Sequence, residues 1–442
     1  MTILESAKAG LITPEMELCA QDEQVSPEFI RSGVADGTIV VLKSSRPNIR
    51  PVAVGKGMTT KVSASVGMYE EYDTPEGELA KIDEALRAGT DTIMDLSVRG
   101  DIRGLREQVL SRSKIPVGTL PIYQTLYDTE QKYGSSFDMT AQDMLDTIEE
   151  QAAEGVSFLA MHPATTQAVV KTSKEEGRLD PLVSWGGSHL IGWMVLHHEE
   201  NPLFIHFDEI IEICRRHDVV LSFADGMRPG CIDDSLDSAQ VQELVIIGTL
   251  VRRARERGVQ VMVKGPGHVP LDEIETTVKL MKKLCHNVPY FVFGCLPTDR
   301  AEGCDHITSA IGGAIASYYG ADFLCYVTPA EHIGMPDAAD VYEGVMASRI
   351  AAHAGDVAKG HPGALAWDRE MSVARREMNW KKQFEMSIDP ERAERMWRER
   401  STSFTSECTM CGKYCAIKIV ERYLRPDASK DKGTVVTEEQ SA

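Results

Sequence analysis

Short apolar runs recur along the chain, each too short for a typical helix: KVSASV (61–66), DTIMDL (91–96), IPVGTL (115–120), SFLAMH (157–162), VVLSFA (219–224), VQVMVK (259–264), YFVFG (290–294) and FLCYVT (323–328). Between most of them lie amphipathic stretches such as EGELAKIDEALRAG, TAQDMLDTIEEQAAEG and AQVQELVIIGTLVRRARERG, which end near glycine as helices often do. The pattern predicts repeated βα units. Strands buried on both faces read as continuous apolar runs, and eight of them over roughly 270 residues match the usual size of a (β/α)8 TIM-type barrel. An open doubly wound sheet is the alternative arrangement. The expected divisions are an N-terminal segment (1–58), the barrel (59–336), a helical segment (337–400), a cysteine-bearing segment (401–425) and a disordered tail (426–442).

Chemically distinctive residues fall just after these strands: Asp95-Leu-Ser, Pro121-Ile-Tyr-Gln, His162-Pro, Asp225-Gly-Met-Arg-Pro-Gly, Gly265-Pro-Gly-His-Val-Pro and Thr328-Pro-Ala-Glu-His332. In a barrel all strand C-termini open onto one face, so these segments are expected to converge on one pocket.

Composition narrows the chemistry. Against 47 Lys+Arg stand 67 Asp+Glu, a formal net charge of −20, which repels nucleic acid and anionic lipid at long range. A small ligand held by a few local cations is expected, with no nucleic-acid or membrane partner. No apolar run approaches the 18 or so residues of a membrane span, and the first residues lack the layout of a signal peptide, so the expected location is cytoplasmic. Seven of the ten cysteines are scattered singly, unlike a disulfide framework.

The other three, Cys408, Cys411 and Cys415, form C-x2-C-x3-C. A structural zinc site closes with four ligands, whereas three thiolates suit a 4Fe-4S cluster with one iron left open. Zinc completed by a distant histidine is the competing reading. His268 in KGPGH and His332 in PAEH are candidates for a metal at the barrel mouth or for ordinary hydrogen-bonded histidines, and His162 and His306 carry the same ambiguity. Ser184-Trp185-Gly186-Gly-Ser188 is either a backbone cradle for a phosphate ahead of a helix or a plain turn. Asp225 and Arg228, around Gly226 and Met227, offer a hydroxyl partner and a phosphate fork, or a structural ion pair. His197-His198-Glu-Glu reads as a solvated helix face.

Taken in order, VSWGGS, HFDEI, ADGMRPG, KGPGHVP, DHITSAIGGA, CYVTPAEHIGMP, AAHAGDVAKGHPGA and CTMCGKYC resemble the phosphomethylpyrimidine synthase family of thiamin biosynthesis over nearly the whole chain. The chain looks like a short form without the extra amino-terminal domain of larger members. The resemblance implies a barrel, a radical S-adenosylmethionine (SAM) mechanism, and 5-aminoimidazole ribotide as substrate. It also implies a 4Fe-4S cluster on Cys408, Cys411 and Cys415, a zinc or other divalent ion on His268 and His332, a flavodoxin- or ferredoxin-type reductant, and a homodimer. Substrate contacts carry over onto Met94, Tyr123, His162, Ser184, Gly186, Asp225, Gly226, Met227 and Arg228.

Four positions depart from the thiamin pattern. SRGGS becomes SWGGS at Trp185, EGPGH becomes KGPGH at Lys264, KINANIG becomes KVSASVG at Ser65, and a pocket tyrosine becomes Phe291. Lys264 would return the cation lost at position 185 if both residues faced one phosphate. These changes are similar to those expected of the family's branch that makes 5-hydroxybenzimidazole from the same ribotide. Thiamin pyrimidine synthesis is the alternative product, and a non-catalytic metal-binding barrel is the rival from another class.

Overall fold

A computed structural model describes residues 1–69, 73–400 and 408–424. The chain divides into two compact units, Met1–His361 and Pro362–Ala442. The expected disordered tail, 426–442, and residues 401–407 of the cysteine-bearing segment lie outside the described residues.

In the first unit the chain starts with three helices, Ile3–Lys8, Pro14–Glu23 and Pro27–Asp36, followed by an antiparallel ribbon of β1 (Ile39–Leu42) and β2 (Val52–Gly55). Thr2, Thr13 and Ser26 cap the three helices by accepting backbone N–H groups, which fixes where each begins. Eight parallel strands follow: β3 (Lys61–Val66), β4 (Thr92–Asp95), β5 (Val117–Thr119), β6 (Phe158–Met161), β7 (Val220–Ala224), β8 (Val261–Lys264), β9 (Tyr290–Phe293) and β10 (Phe323–Cys325). Each pairs with the next, and β10 pairs with β3, closing the barrel. Every apolar run anticipated from the sequence is one of these strands, and the open-sheet alternative is excluded.

The barrel is filled by side chains. Phe158, Phe291 and Phe323 are fully buried, with Phe291 stacked on Phe323 at 4.0 Å between ring centroids and Phe158 edge-on to both. Gly118 on β5 makes room for this trio, because a Cβ there would lie 2.1 Å from the Phe158 ring.

The N-terminal helices and ribbon close the end of the barrel where the strands begin. Ile3, Leu4, Met16, Ile30, Val34 and Val41 share one apolar cluster. The Gln260 amide, just before β8, bonds both the N–H (2.8 Å) and the C=O of Val41, and Lys61 at the start of β3 is buried in an ion pair with Glu23 (2.7 Å).

The helix Ala338–Ala358, capped by Asp337, packs on the helices Pro75–Ala88 and Asp305–Tyr319 and so belongs to the first unit. The second unit contains the helices Pro362–Arg376, Trp380–Glu385, Pro390–Arg400 and Ala416–Leu424. Trp380, Phe384 and Trp397 pack together there, with ring centroids about 6 Å apart. Among the described residues no helix is long and apolar enough to cross a membrane.

Candidate active site

The C-terminal ends of the strands bring the expected residues of the first unit to one mouth. A cleft of about 290 Å³ opens there, lined by Ser65, Phe293, Cys325 and Glu331 among others. Near Phe293 and Cys325 of this lining is Lys264, the buried last residue of β8. Its ammonium donates to Met94 Sδ (3.5 Å) and lies 4.8 Å from the Phe291 ring and 5.9 Å from Phe293. Among the described residues no carboxylate lies within ion-pair distance of it. Burial pushes its pKa down by disfavouring the charged form, and an anionic ligand group beside it would favour that form again.

Asp225 directly follows β7 and is almost fully buried, with Oδ1 lacking any hydrogen bond among the described residues. Burial raises its pKa to about 8; Glu243 adds to the shift, while Arg228 and Lys264 oppose it. The carboxyl is wedged against Gly265, where a Cβ would come within 2.0 Å of Asp225 Oδ2 and where φ is +145°. Only glycine meets both demands. The Arg228 guanidinium lies over the Phe293 ring at 5.0 Å.

Across the mouth, Ser184 caps the helix Trp185–His197, its hydroxyl accepting from Gly187 N–H (3.3 Å) and lying 3.0 Å from His162 Nε2. The hydroxyl proton is therefore free to serve the ring nitrogen. Burial, with the charges of Arg228 and Lys264, holds the His162 pKa down to about 3, so the ring is neutral. Gly186 packs on that ring, with its Cβ position 2.7 Å from Cε1. Trp185 stands 39% exposed against Tyr123 (4.8 Å between centroids), Tyr69 (6.3 Å) and His189 (5.2 Å).

Trp185 thus packs among Tyr69, Tyr123 and His189, and Lys264 among Met94, Phe291 and Phe293. Phe291, expected in the pocket, is part of the buried aromatic trio and meets the site as the surface beneath Lys264. Ser65 lies 3.8 Å from Cys325 Sγ, and its carbonyl accepts from Tyr326 OH (2.6 Å).

His268 and His332 come together, their ring centroids 5.2 Å apart. Asp299 engages Nδ1 of His268 at 2.6 Å and Asp305 engages Nδ1 of His332 at 3.0 Å. A carboxylate on Nδ1 directs a histidine to bind metal through Nε2. Two Nε2 ligands at about 2.0–2.1 Å on a tetrahedral ion would set the ring centroids about 5 Å apart. The donor pair therefore fits a divalent metal. Among the described residues no three His, Cys, Asp or Glu side chains gather closely enough to enclose an ion.

In the second unit Cys408, Cys411 and Cys415 lie on one compact turn. Gly412 N–H bonds Cys408 C=O (3.1 Å) and Tyr414 N–H bonds Cys411 C=O (3.0 Å), ahead of the helix Ala416–Leu424. N–H groups of Cys411 and Met410 lower the pKa of Cys408, which favours the thiolate that iron requires. The buried singles Cys19, Cys214, Cys285 and Cys295 are instead pushed up to about 12. The donor set fits an iron–sulfur cluster.

Three contributors escaped the sequence reading: Asp299, Asp305 and Glu243. The first two lie within DRAEGCDH, and nothing in their spacing reveals their partners. Glu243 did leave a signal, as an acid in the apolar stripe shared by Ile247, Leu250 and Ala254 at helical spacing.

The Radical SAM ThiC family description matches residues 2–422. The 5-hydroxybenzimidazole synthase BzaA of Eubacterium limosum is 72% identical, covering 97% of this chain and 100% of that protein. The BzaA of Moorella thermoacetica is 60% identical over 96% and 98%. A phosphomethylpyrimidine synthase of Thermoanaerobacter sp. (strain X514) is 50% identical over 97% and 99%. The motifs, the barrel mouth and these matches along nearly the full chain agree: the protein belongs to the radical SAM ThiC family.

Proposed function

We propose that this enzyme rearranges 5-aminoimidazole ribotide into 5-hydroxybenzimidazole, the lower-ligand base of anaerobic cobamide synthesis, as a radical SAM lyase. The observation that carries the reading is the gradient of identity, from 72% and 60% with two 5-hydroxybenzimidazole synthases to 50% with a phosphomethylpyrimidine synthase. Support also comes from Lys264, a buried lysine without an ion-pair partner among the described residues, where thiamin-type motifs carry glutamate. In this reading Lys264 and Arg228 receive the anionic part of the ribotide and Asp225 a hydroxyl. Neutral His162, held by Ser184, faces the same ligand, and Tyr123, Met94, Ser65 and the Gly226–Met227 backbone complete the wall.

A 4Fe-4S cluster on Cys408, Cys411 and Cys415, reduced by a flavodoxin- or ferredoxin-type donor, supplies the electron that cleaves SAM. His268 and His332 hold zinc or another divalent ion. The protein works as a cytoplasmic homodimer.

The deciding experiment is anaerobic turnover with aminoimidazole ribotide, SAM and dithionite, with the product read by mass. The expected product is 5-hydroxybenzimidazole. Hydroxymethylpyrimidine phosphate as the main product overturns the reading and assigns the chain to thiamin synthesis. A colourless protein without a bleachable absorption near 400 nm favours the non-catalytic rival.

A further inference from the structure

Glu243 lies on the buried face of the helix Ser238–Glu256 and is 1% exposed. Its Oε1 accepts the backbone N–H of Gly226 (3.0 Å) and the Thr165 hydroxyl (2.6 Å), and its Oε2 accepts the N–H of Met227 (2.8 Å). Gly226 and Met227 are the two residues between Asp225 and Arg228, and Thr165 lies in the loop that begins at His162. One carboxylate thus fastens the loops after β6 and β7.

The surroundings tighten both loops. Asn201 Nδ2 donates to the carbonyls of His162 (2.8 Å) and Thr165 (3.0 Å). Arg178, paired with Asp237, donates to the Met227 carbonyl (2.7 Å). A Cβ on Gly226 would fall 2.1 Å from Thr165 Oγ1, so the two loops touch where Glu243 joins them. Three donors converge on two oxygens, an arrangement that an acceptor-only carboxylate satisfies and an amide does not, because its NH2 would face an N–H.

We propose that Glu243 is a positioning residue that holds Asp225 and Arg228 in register with His162 for ribotide binding. This rests on the reading that Asp225 and Arg228 contact the ribotide. Glu243 also acts electrostatically. Asp225 is faced by Arg228 from its own loop, Lys264 from β8, Tyr290 from β9 and Glu243 from the helix behind; the nearby carboxylate adds to the upward shift of Asp225.

The test is equilibrium binding of aminoimidazole ribotide to the full-length protein across pH. The expected result for Glu243→Gln is affinity weakened by about tenfold, the scale of one lost charged hydrogen bond, with the ionisation of Asp225 displaced to lower pH. Glu243→Asp keeps the charge but shortens the reach, so affinity should fall while that ionisation stays near its original position. Unchanged affinity in both variants overturns the proposal, as does weakened affinity with the ionisation unmoved in Glu243→Gln. Arg228→Lys separates the two levels: if it binds ribotide normally, the reading of the site has failed. If it binds weakly while Glu243→Gln does not, only the role of Glu243 has failed. Should Glu243→Gln not fold, Thr165→Val removes one of the three donors and is expected to weaken binding about threefold; full affinity there overturns the proposal.

Discussion

Asp299 Oδ1 lies 2.6 Å from His268 Nδ1, and this contact leaves Nε2 as the ring nitrogen available to a metal, with the His332 ring 5.2 Å away between centroids. Asp305 does the same for His332 at 3.0 Å. Asp299→Asn and Asp305→Asn should each weaken retention of the non-cluster metal by about 10- to 100-fold, as loss of outer carboxylates typically does. Elemental analysis after graded chelation measures it. Undiminished metal in both variants leaves the two carboxylates a structural role only, whereas undiminished metal in the His268→Ala/His332→Ala double variant removes the site itself.

Cys411 is exposed, between half-buried Cys408 and buried Cys415. Cys411→Ala should lose the cluster, leaving two of three thiolates, and with it the formation of 5′-deoxyadenosine from SAM. Normal iron content in that variant would sink the ligand assignment.

Asp225 gives stability a definite pH dependence. Its carboxyl titrates near 8 in the fold and near 3.9 unfolded, so between those values the native state holds the extra proton. Stability contributed by the neutral form is complete below about 4 and is lost as pH rises toward 8, at no more than about 1.4 kcal/mol per pH unit. Asp225→Asn should therefore gain on the wild type between pH 5 and pH 8 in urea unfolding of the ligand-free protein. A difference that does not vary with pH would contradict this.

Lys264 carries the opposite trade. Its amine is buried without a carboxylate partner among the described residues, so Lys264→Met should raise the melting temperature of the ligand-free protein at pH 7 while product formation falls sharply. Because burial lowers the lysine pKa, the penalty is full below that folded pKa and relieved as pH climbs toward the ordinary lysine range, so the stability gain should shrink there. A variant that is less stable at pH 7 and equally active would refute both halves. The paired Trp185→Arg/Lys264→Glu exchange is a harsher test of product choice, because it sets a carboxylate beside Asp225 and Glu331.

Gly118→Ala should destabilise the barrel by about 1–3 kcal/mol, the usual cost of overpacking, since the new methyl collides with Phe158. Urea unfolding would detect it, and a neutral effect would mean that the aromatic trio yields easily.

The eight barrel strands were legible because each is covered on both faces and so reads as a continuous apolar run. The ribbon IVVL and VAVG was not, since each strand has four residues and its burial comes from helices distant in sequence. At the site, His268 and His332 stood out as chemistry placed after strands. Their carboxylate partners, 31 and 27 residues away, became visible only in space. The charge compensation expected between positions 185 and 264 depends on a shared neighbour, which alternation of residue types cannot report. Trp185 joins an aromatic wall of Tyr69 and Tyr123, and Lys264 lies over the Phe291 ring.

The floor beneath Lys264 bears on how the site is reached. Phe158, Phe291 and Phe323 seal the middle of the barrel, and the N-terminal cluster with the Lys61–Glu23 pair shuts its far end. Along the barrel axis the packed rings lie between Lys264 and the end where the strands begin. The cleft of about 290 Å³ at the strand C-termini is thus the side from which a ligand of that size arrives.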